Sequence, residues 1–275
     1  MEAKRKAAVA GYFYPDNPRE LEHEIERLIE RVPGNRIEGT VKALISPHAG
    51  YMYSGFTAAH AYKLLKGKTV DTVIVVGPSH REYFDGISVY PGEAYMTPFG
   101  EVKIDSDLRK AISQNVRGIL LSDIGHRLEH SVEVQLPFLQ YVMPKTKFVP
   151  VVMGDQRRRH CHVLAEALAK TCAGGDILLI ASSDLSHYHP YDEAKKLDRQ
   201  VIEMVESGDA EKLLRKLETN DVEACGGGPM VAVMTASAAL GGTTPAILHH
   251  CNSGDVTGNR DTVVGYLSAA FLQGH

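Results

Sequence analysis

Two histidines are delivered in the same way. Residues 41–46 form a short apolar run that stops at Pro47 and leads to His48. Residues 72–76 form a second run, followed by Gly77-Pro-Ser-His80. Proline cannot donate to a sheet ladder, so each run reads as a strand that ends just before its histidine. In an open α/β sheet, groups beyond the carboxyl ends of strands collect in one crevice. Neutral imidazole is a good metal ligand, so the pair could hold an ion. Two hydrogen-bonded loop histidines are the competing reading.

Asp184-Leu-Ser-His187 comes after residues 177–182, the clearest buried run in the chain. A carboxylate and an imidazole on one strand-end turn could act as a base with its orienting partner, or add metal ligands. An aspartate helix cap beside a surface histidine is the alternative. Cys225-Gly-Gly-Gly-Pro229 opens an alanine-rich segment. A thiol at a helix N-terminus meets unpaired N–H groups and the positive end of the helix dipole, which favours the thiolate. The same stretch also reads as a flexible helix start with an inert buried cysteine. No Lys-Ser/Thr comes after the glycines, so a phosphate loop is not indicated.

Tyr53 precedes an alanine-rich helix face and could line a pocket beside His48; Glu129-His130 is a further candidate pair. His249-His250-Cys251 cannot easily converge on one ion, because adjacent strand residues point to opposite faces. His160-Cys161-His162, near a helix start, reads as a surface feature, and His189, before Pro190, as structural.

The elements that must position these groups alternate between strand and helix. Leu21, Ile25, Leu28, Ile29 and Val32 form a helical stripe, with Asp16 or Asn17 as cap and Pro18 in the first turn. Further helices are expected over residues 54–65, 105–115, 132–141, 158–171, 192–206 and 210–217, and from the glycines to Leu240. Pro137 should kink or break the helix over 132–141. Strands are expected at 148–153, 246–251 and 262–271, with a shorter one at 119–122. Residues 86–90 and 101–104 read as an edge or antiparallel part of the sheet, and 252–261 as a loop. The pattern predicts one domain over residues 1–275, with α/β/α layers around a central mixed sheet.

The 275 residues are 44% hydrophobic and 23% charged, enough for a sizeable core, with a net charge of −4. That charge gives no nucleic-acid footprint, and the Arg157-Arg158-Arg159 triplet reads as a solvated helix start. No apolar run reaches the roughly 20 residues of a membrane span. The opening residues 1–6 are charged and no apolar region comes after them, so no signal peptide is expected. Four irregularly spaced cysteines without a CxxC pair point to a reducing, cytoplasmic setting. No nucleotide cofactor is indicated.

The motifs together resemble the Memo family: Ser46-Pro-His48-Ala-Gly-Tyr51-x-Tyr53, Gly77-Pro-Ser-His80, Glu129-His-Ser-Val-Glu-Val-Gln135, Ser182-Ser-Asp184-Leu-Ser-His187 and Cys225-Gly. They run in family order over nearly the whole chain, which looks like a microbial member. The resemblance implies a fold similar to the class III, LigB-like, extradiol dioxygenases. It also implies that His48, His80 and Cys225 occupy the positions of three metal ligands, and that Asp184 and His187 line the pocket, His187 at the place of the acid/base histidine. Those dioxygenases hold iron with two histidines and a carboxylate. A thiolate in the third place suits copper as well as iron, and zinc too.

The leading expectation is therefore a metal-dependent oxidoreductase acting on an unknown small molecule or peptide. Tyr53, Tyr14, Glu129 and His130 would contact that substrate. A non-catalytic peptide- or protein-binding module using the same pocket, and a zinc-dependent hydrolase, are the alternatives. The family association also implies AMMECR-type and radical-SAM proteins as partners.

Overall fold

Parallel strands buried on both faces need near-continuous apolar runs, and four such runs lie side by side at the centre of the sheet. A computed structural model describes residues 4–34, 37–114 and 116–274. Its first half contains β1 (Lys4–Arg5), α1 (Pro18–Arg31), β2 (Thr40–Ser46), α2 (Tyr51–Lys63), β3 (Thr72–Pro78), β4 (Ile87–Val89), β5 (Ala94–Thr97), β6 (Gly100–Lys103), α3 (Ser106–Ser113) and β7 (Ile119–Leu121). The second half contains α4 (Leu136–Val142), β8 (Lys147–Met153), α5 (Arg158–Cys172), β9 (Ile177–Ser182), β10 (His187–His189), α6 (Tyr191–Glu206), α7 (Ala210–Glu218), α8 (Gly227–Ala239), β11 (Thr244–Asn252), α9 (Ser253–Thr257) and β12 (Val263–Gln273).

Strands β2, β9, β3 and β8 are mutually parallel in that spatial order. Antiparallel β12 flanks β2, and antiparallel β4 flanks β8, which makes the sheet mixed. Alternate side chains feed two cores. Ala43, Ile45, Ile74, Val76, Leu179 and Ala181 face the layer of α5, α7 and α8. Leu44, Val73, Val75, Leu178 and Ile180 face the layer of α1, α2 and α4. Truncating a fully buried residue such as Ile74 to alanine is expected to cost about 2–5 kcal/mol.

Two expectations change. Residues 101–103 do not pair with the main sheet, which this stretch touches, among the described residues, only through a single parallel bridge from Ile104 to Phe148 of β8. With β5, which sequence reading passes over, they form a hairpin that pairs with β1 in a separate three-stranded sheet. The stretch 252–261 is not all loop: Asn252 and Asp255 form a reciprocal capping box that starts α9. The helix expected over 105–115 is α3, capped by Asp105; its expected last residue, Asn115, lies outside the described residues, as do residues 1–3 of the charged opening. Helix α2 begins at Tyr51, ahead of the expected 54, because the Phe13 carbonyl accepts the Tyr51 N–H at 2.7 Å. Pro137 falls in the first turn of α4, after a short 3-10 turn over Glu133–Gln135, so the break lies where the proline costs no hydrogen bond. Among the described residues no helix is long and apolar enough to cross a membrane.

Candidate metal centre and its cavity

His48, His80 and Asp184 each lie two residues past the end of a parallel strand, β2, β3 and β9 respectively. The strands are adjacent and in register, with Ser46 opposite Ser182, so the three groups meet at one edge of the sheet. The ring centroids of His48 and His80 are 5.1 Å apart. Cys225 arrives from the other layer, shortly before α8. Its Sγ lies 3.1 Å from Nε2 of His48 and accepts the Asp184 N–H at 3.3 Å. Gly226 permits this approach: a Cβ there would stand 2.3 Å from the Ser182 carbonyl oxygen.

The partners fix both imidazoles. The Ser182 hydroxyl donates to the Ser131 carbonyl at 2.6 Å and accepts from Gln135 Nε2 at 2.8 Å. Its remaining lone pair accepts Nδ1–H of His48 at 2.9 Å. Nδ1–H of His80 donates to the Glu129 carboxylate, also at 2.9 Å. Each histidine therefore keeps its lone pair on Nε2, the arrangement in which outer partners aim a metal ligand. Glu129 further accepts the backbone N–H groups of His80, His130 and Ser131. Burial pushes its carboxyl up, but the bonds and charge from His80, then His130, outweigh that and hold it down at about 2.

The other groups are tuned by burial. His48 is held well below the usual imidazole range by burial, then by His80 and His130. Burial also lowers His130, to about 4. Neutral imidazoles are the ligand form. Burial raises Asp184 to about 6, against the pull of the His48 N–H, which its Oδ1 accepts at 2.8 Å.

The thiolate expected at Cys225 from the helix start does not hold. Burial, then Asp184, pushes the thiol up. The Asp184 and Gly226 amides and the Ser183 side chain pull the other way but are outweighed.

Ligand atoms of His48, His80 and His130 lie within 4.8 Å of one another, and so do those of His48, Asp184 and Cys225. His48 joins both groups. Among the described residues no such group contains both His80 and Cys225, so the three expected ligands are brought to one site but not into one such cluster. His80 instead stacks on His130, at 4.6 Å between centroids. The donor chemistry suits a transition-metal ion: two aimed imidazoles, a thiol within reach of one, and no lysine or arginine head group among them.

His48, His80, His130, Asp184, His187 and Tyr53 line a cavity of about 710 Å³. His187 donates Nδ1–H to the Leu185 carbonyl at 2.8 Å, which leaves Nε2 free to accept a proton. Its backbone N–H points to Glu223, and the preceding turn is held by buried Asp198, which accepts the Ser186 N–H at 3.0 Å. Cys225 does not line this cavity. It faces a second one of about 560 Å³, and His187 borders both.

Two expected substrate contacts lie outside the site cavity. Tyr14 lines the neighbouring groove instead; it is largely buried and its hydroxyl donates to Glu133 at 2.6 Å. Glu129 lies behind His80 as its orienting partner. His160, expected at the surface, is buried between Asp155 and Asp85, and Cys161 beside it is buried too. His189 pairs with Glu223 at 3.0 Å, as its structural reading implied. Cys251 and His249 both contact Thr57. The three arginines at 157–159 are paired with Asp155, Glu218 and Asp85.

Sequence reading gave no role to Ser182, Ser131, Glu133 and Gln135. For the last three the signal was the alternation of polar residues at 129, 131, 133 and 135, all of them buried here. Glu133 accepts from Arg5, Tyr14 and the backbone N–H groups of Ala8 and Val9, and so pins the segment that brings Tyr12 and Phe13 to the cavity wall.

These features define a class: an α/β protein with a histidine- and cysteine-lined site beyond the carboxyl ends of a mixed sheet. The family model described as Memo-like protein matches residues 5–270, and the chain belongs to that family. It is 38% identical to a MEMO1 family protein of Methanopyrus kandleri, over 98% of this chain and all of that one. It is likewise 38% identical to a MEMO1 family protein of Sulfurisphaera tokodaii, over 97% of this chain and 99% of the relative. Among solved structures, an uncharacterized protein, JW3007, from Escherichia coli K12 shares the fold, with a TM-score of 0.59 at 16% identity over 84% of this chain and 100% of that chain.

Proposed function

We propose that this chain is a metal-dependent oxidoreductase that holds one ion through His48, His80 and Cys225. The observation that carries the reading is that both imidazoles have Nδ1 occupied by an acceptor, Ser182 Oγ or Glu129, which leaves both Nε2 lone pairs for an ion. His130 Nδ1 makes no hydrogen bond among the described residues and lies 3.4 Å from Oε1 of Glu129, a looser hold than His48 and His80 have, so it ranks behind those two as a ligand. Iron or copper suits an imidazole and thiolate set and would supply electron transfer to or from a bound substrate; zinc suits the donors without redox chemistry.

The chain's own groups have separate tasks. His187 Nε2 removes a proton from a substrate hydroxyl. Asp184 holds the His48 backbone in place. Tyr53 and the neighbouring aromatic walls exclude water.

A screen for oxygen uptake over phenols and related compounds, on protein loaded with iron or copper, tests this. Turnover is expected, with His187→Ala lowering it about 10²–10⁴-fold. Turnover unchanged in that variant removes His187 from the chemistry.

A binding module is the second reading. It is favoured by a groove of about 890 Å³ that shares Tyr12, Phe13 and Tyr53 with the site cavity and could take an extended peptide. Peptide capture that is indifferent to metal and to His187→Ala would favour it.

A further inference from the structure

Tyr188 has a φ of +63°, in the left-handed region that bulky L side chains avoid. Among the described residues the only other non-glycine at positive φ is Asn220. Asn220 comes after α7, where asparagine in that conformation is a common helix end. Tyr188 has no such reason. It is the extra residue of a bulge: His187 pairs with Val264 and His189 with Val263, and Tyr188 is left between them.

The bulge turns the ring outward. Tyr188 is 75% exposed, so burial returns little for the strain. Among the described residues its hydroxyl makes no hydrogen bond, and its one ring contact is with His187, at 5.7 Å between centroids and nearly edge-on. Tyr188 nevertheless lines the site cavity, next to His187. Backbone strain held at the edge of a site, without packing to reward it, points to a role toward the ligand.

We propose that Tyr188 is a specificity-determining residue, whose ring stacks on a planar, uncharged aromatic group of the ligand and holds it beside His187. The rest of the wall agrees with this ligand. Tyr12, Phe13, Tyr53 and Tyr266 also line the cavity, and aromatic faces favour offset or edge-on ring partners. No lysine or arginine lines it among the described residues, so the wall offers no fixed cation to a phosphate or carboxylate. The inference rests on the proposed function only in placing the ligand in this cavity.

The test is run on the full chain stripped of metal, so that failure of the metal reading leaves it intact. Thermal unfolding is measured for the parent, Tyr188→Gly and Tyr188→Phe, and binding of phenol and of cyclohexanol is measured by ligand-observed NMR. Tyr188→Gly is expected to melt at the parent's midpoint or up to about 4 °C above it, because glycine adopts the left-handed conformation freely. Phenol is expected to bind the parent and Tyr188→Phe, and to bind Tyr188→Gly about tenfold more weakly. Cyclohexanol, of similar size but not planar, should bind the parent more weakly than phenol. A lowered midpoint in Tyr188→Gly would show that the ring supports the fold and would overturn the proposal. So would absence of phenol binding to the parent, equal binding of the two alcohols, or phenol affinity unchanged in Tyr188→Gly.

Discussion

Nδ1 of His80 lies 2.9 Å from Oε1 of Glu129, and the same carboxylate also accepts the His80 backbone N–H. One side chain thus sets both the ring and the loop of a candidate ligand. Gln at 129 keeps the size but has a single carbonyl oxygen to replace two carboxylate oxygens that accept four N–H groups. Glu129→Gln is expected to weaken metal binding about 10–100-fold, the usual cost of losing an outer-shell partner. Competition with a chromophoric chelator measures it; an unchanged affinity would mean that Glu129 does not aim His80.

Asp198 makes a prediction about pH. Its carboxyl is buried, accepts the Ser186 N–H, and is raised by burial to about 6. Because the folded value exceeds the unfolded one, the folded state binds more protons between them. The associated stability is full below about 3.8 and is lost as pH rises through about 6. An asparagine keeps an acceptor for Ser186 without the charge. Asp198→Asn should therefore gain stability relative to the parent between about pH 4 and pH 7, by roughly 1–3 kcal/mol at the upper end. Denaturant unfolding of both proteins across that range checks this, and parallel pH curves would contradict it.

The buried ion pair between Arg5 and Glu133 makes a third. The two side chains are only 4% and 0% exposed, and Glu133 also anchors Ala8, Val9 and Tyr14. Glu133→Ala leaves the Arg5 charge buried without its partner, which is expected to cost about 3–5 kcal/mol of stability. It should also raise hydrogen exchange over residues 5–14 more than elsewhere. A loss below about 1 kcal/mol would mean that water or the backbone replaces the carboxylate.

The frame of the site was legible in the sequence because its cause is local. Strands buried on both faces must be apolar throughout, so β2, β3 and β9 stood out. The residues just beyond their carboxyl ends, His48, His80, Asp184 and His187, could be placed without knowing the rest. The features that were not legible depend on pairings distant in the chain. Ser182 and Gln135 look like ordinary polar residues until register brings them beside His48. The two-residue β1 has no periodicity to read and exists only through β5. Tyr14 resembles a residue of the site cavity until the fold places it on the neighbouring groove with its hydroxyl on Glu133. Cys225 was legible as a candidate, yet the upward push on its thiol was not, since that comes from burial and from Asp184, 41 residues away in the chain.

Whether His48, His80 and Cys225 hold one ion is decided by elemental analysis after anaerobic purification, on the parent and on His48→Ala, His80→Ala, Cys225→Ser and His130→Ala. About one equivalent of iron or copper is expected in the parent and in His130→Ala, as a single-site protein should carry. Most of that metal should be lost from the other three variants. Full metal in Cys225→Ser together with its loss in His130→Ala would refute this ligand set and assign the ion to the three histidines.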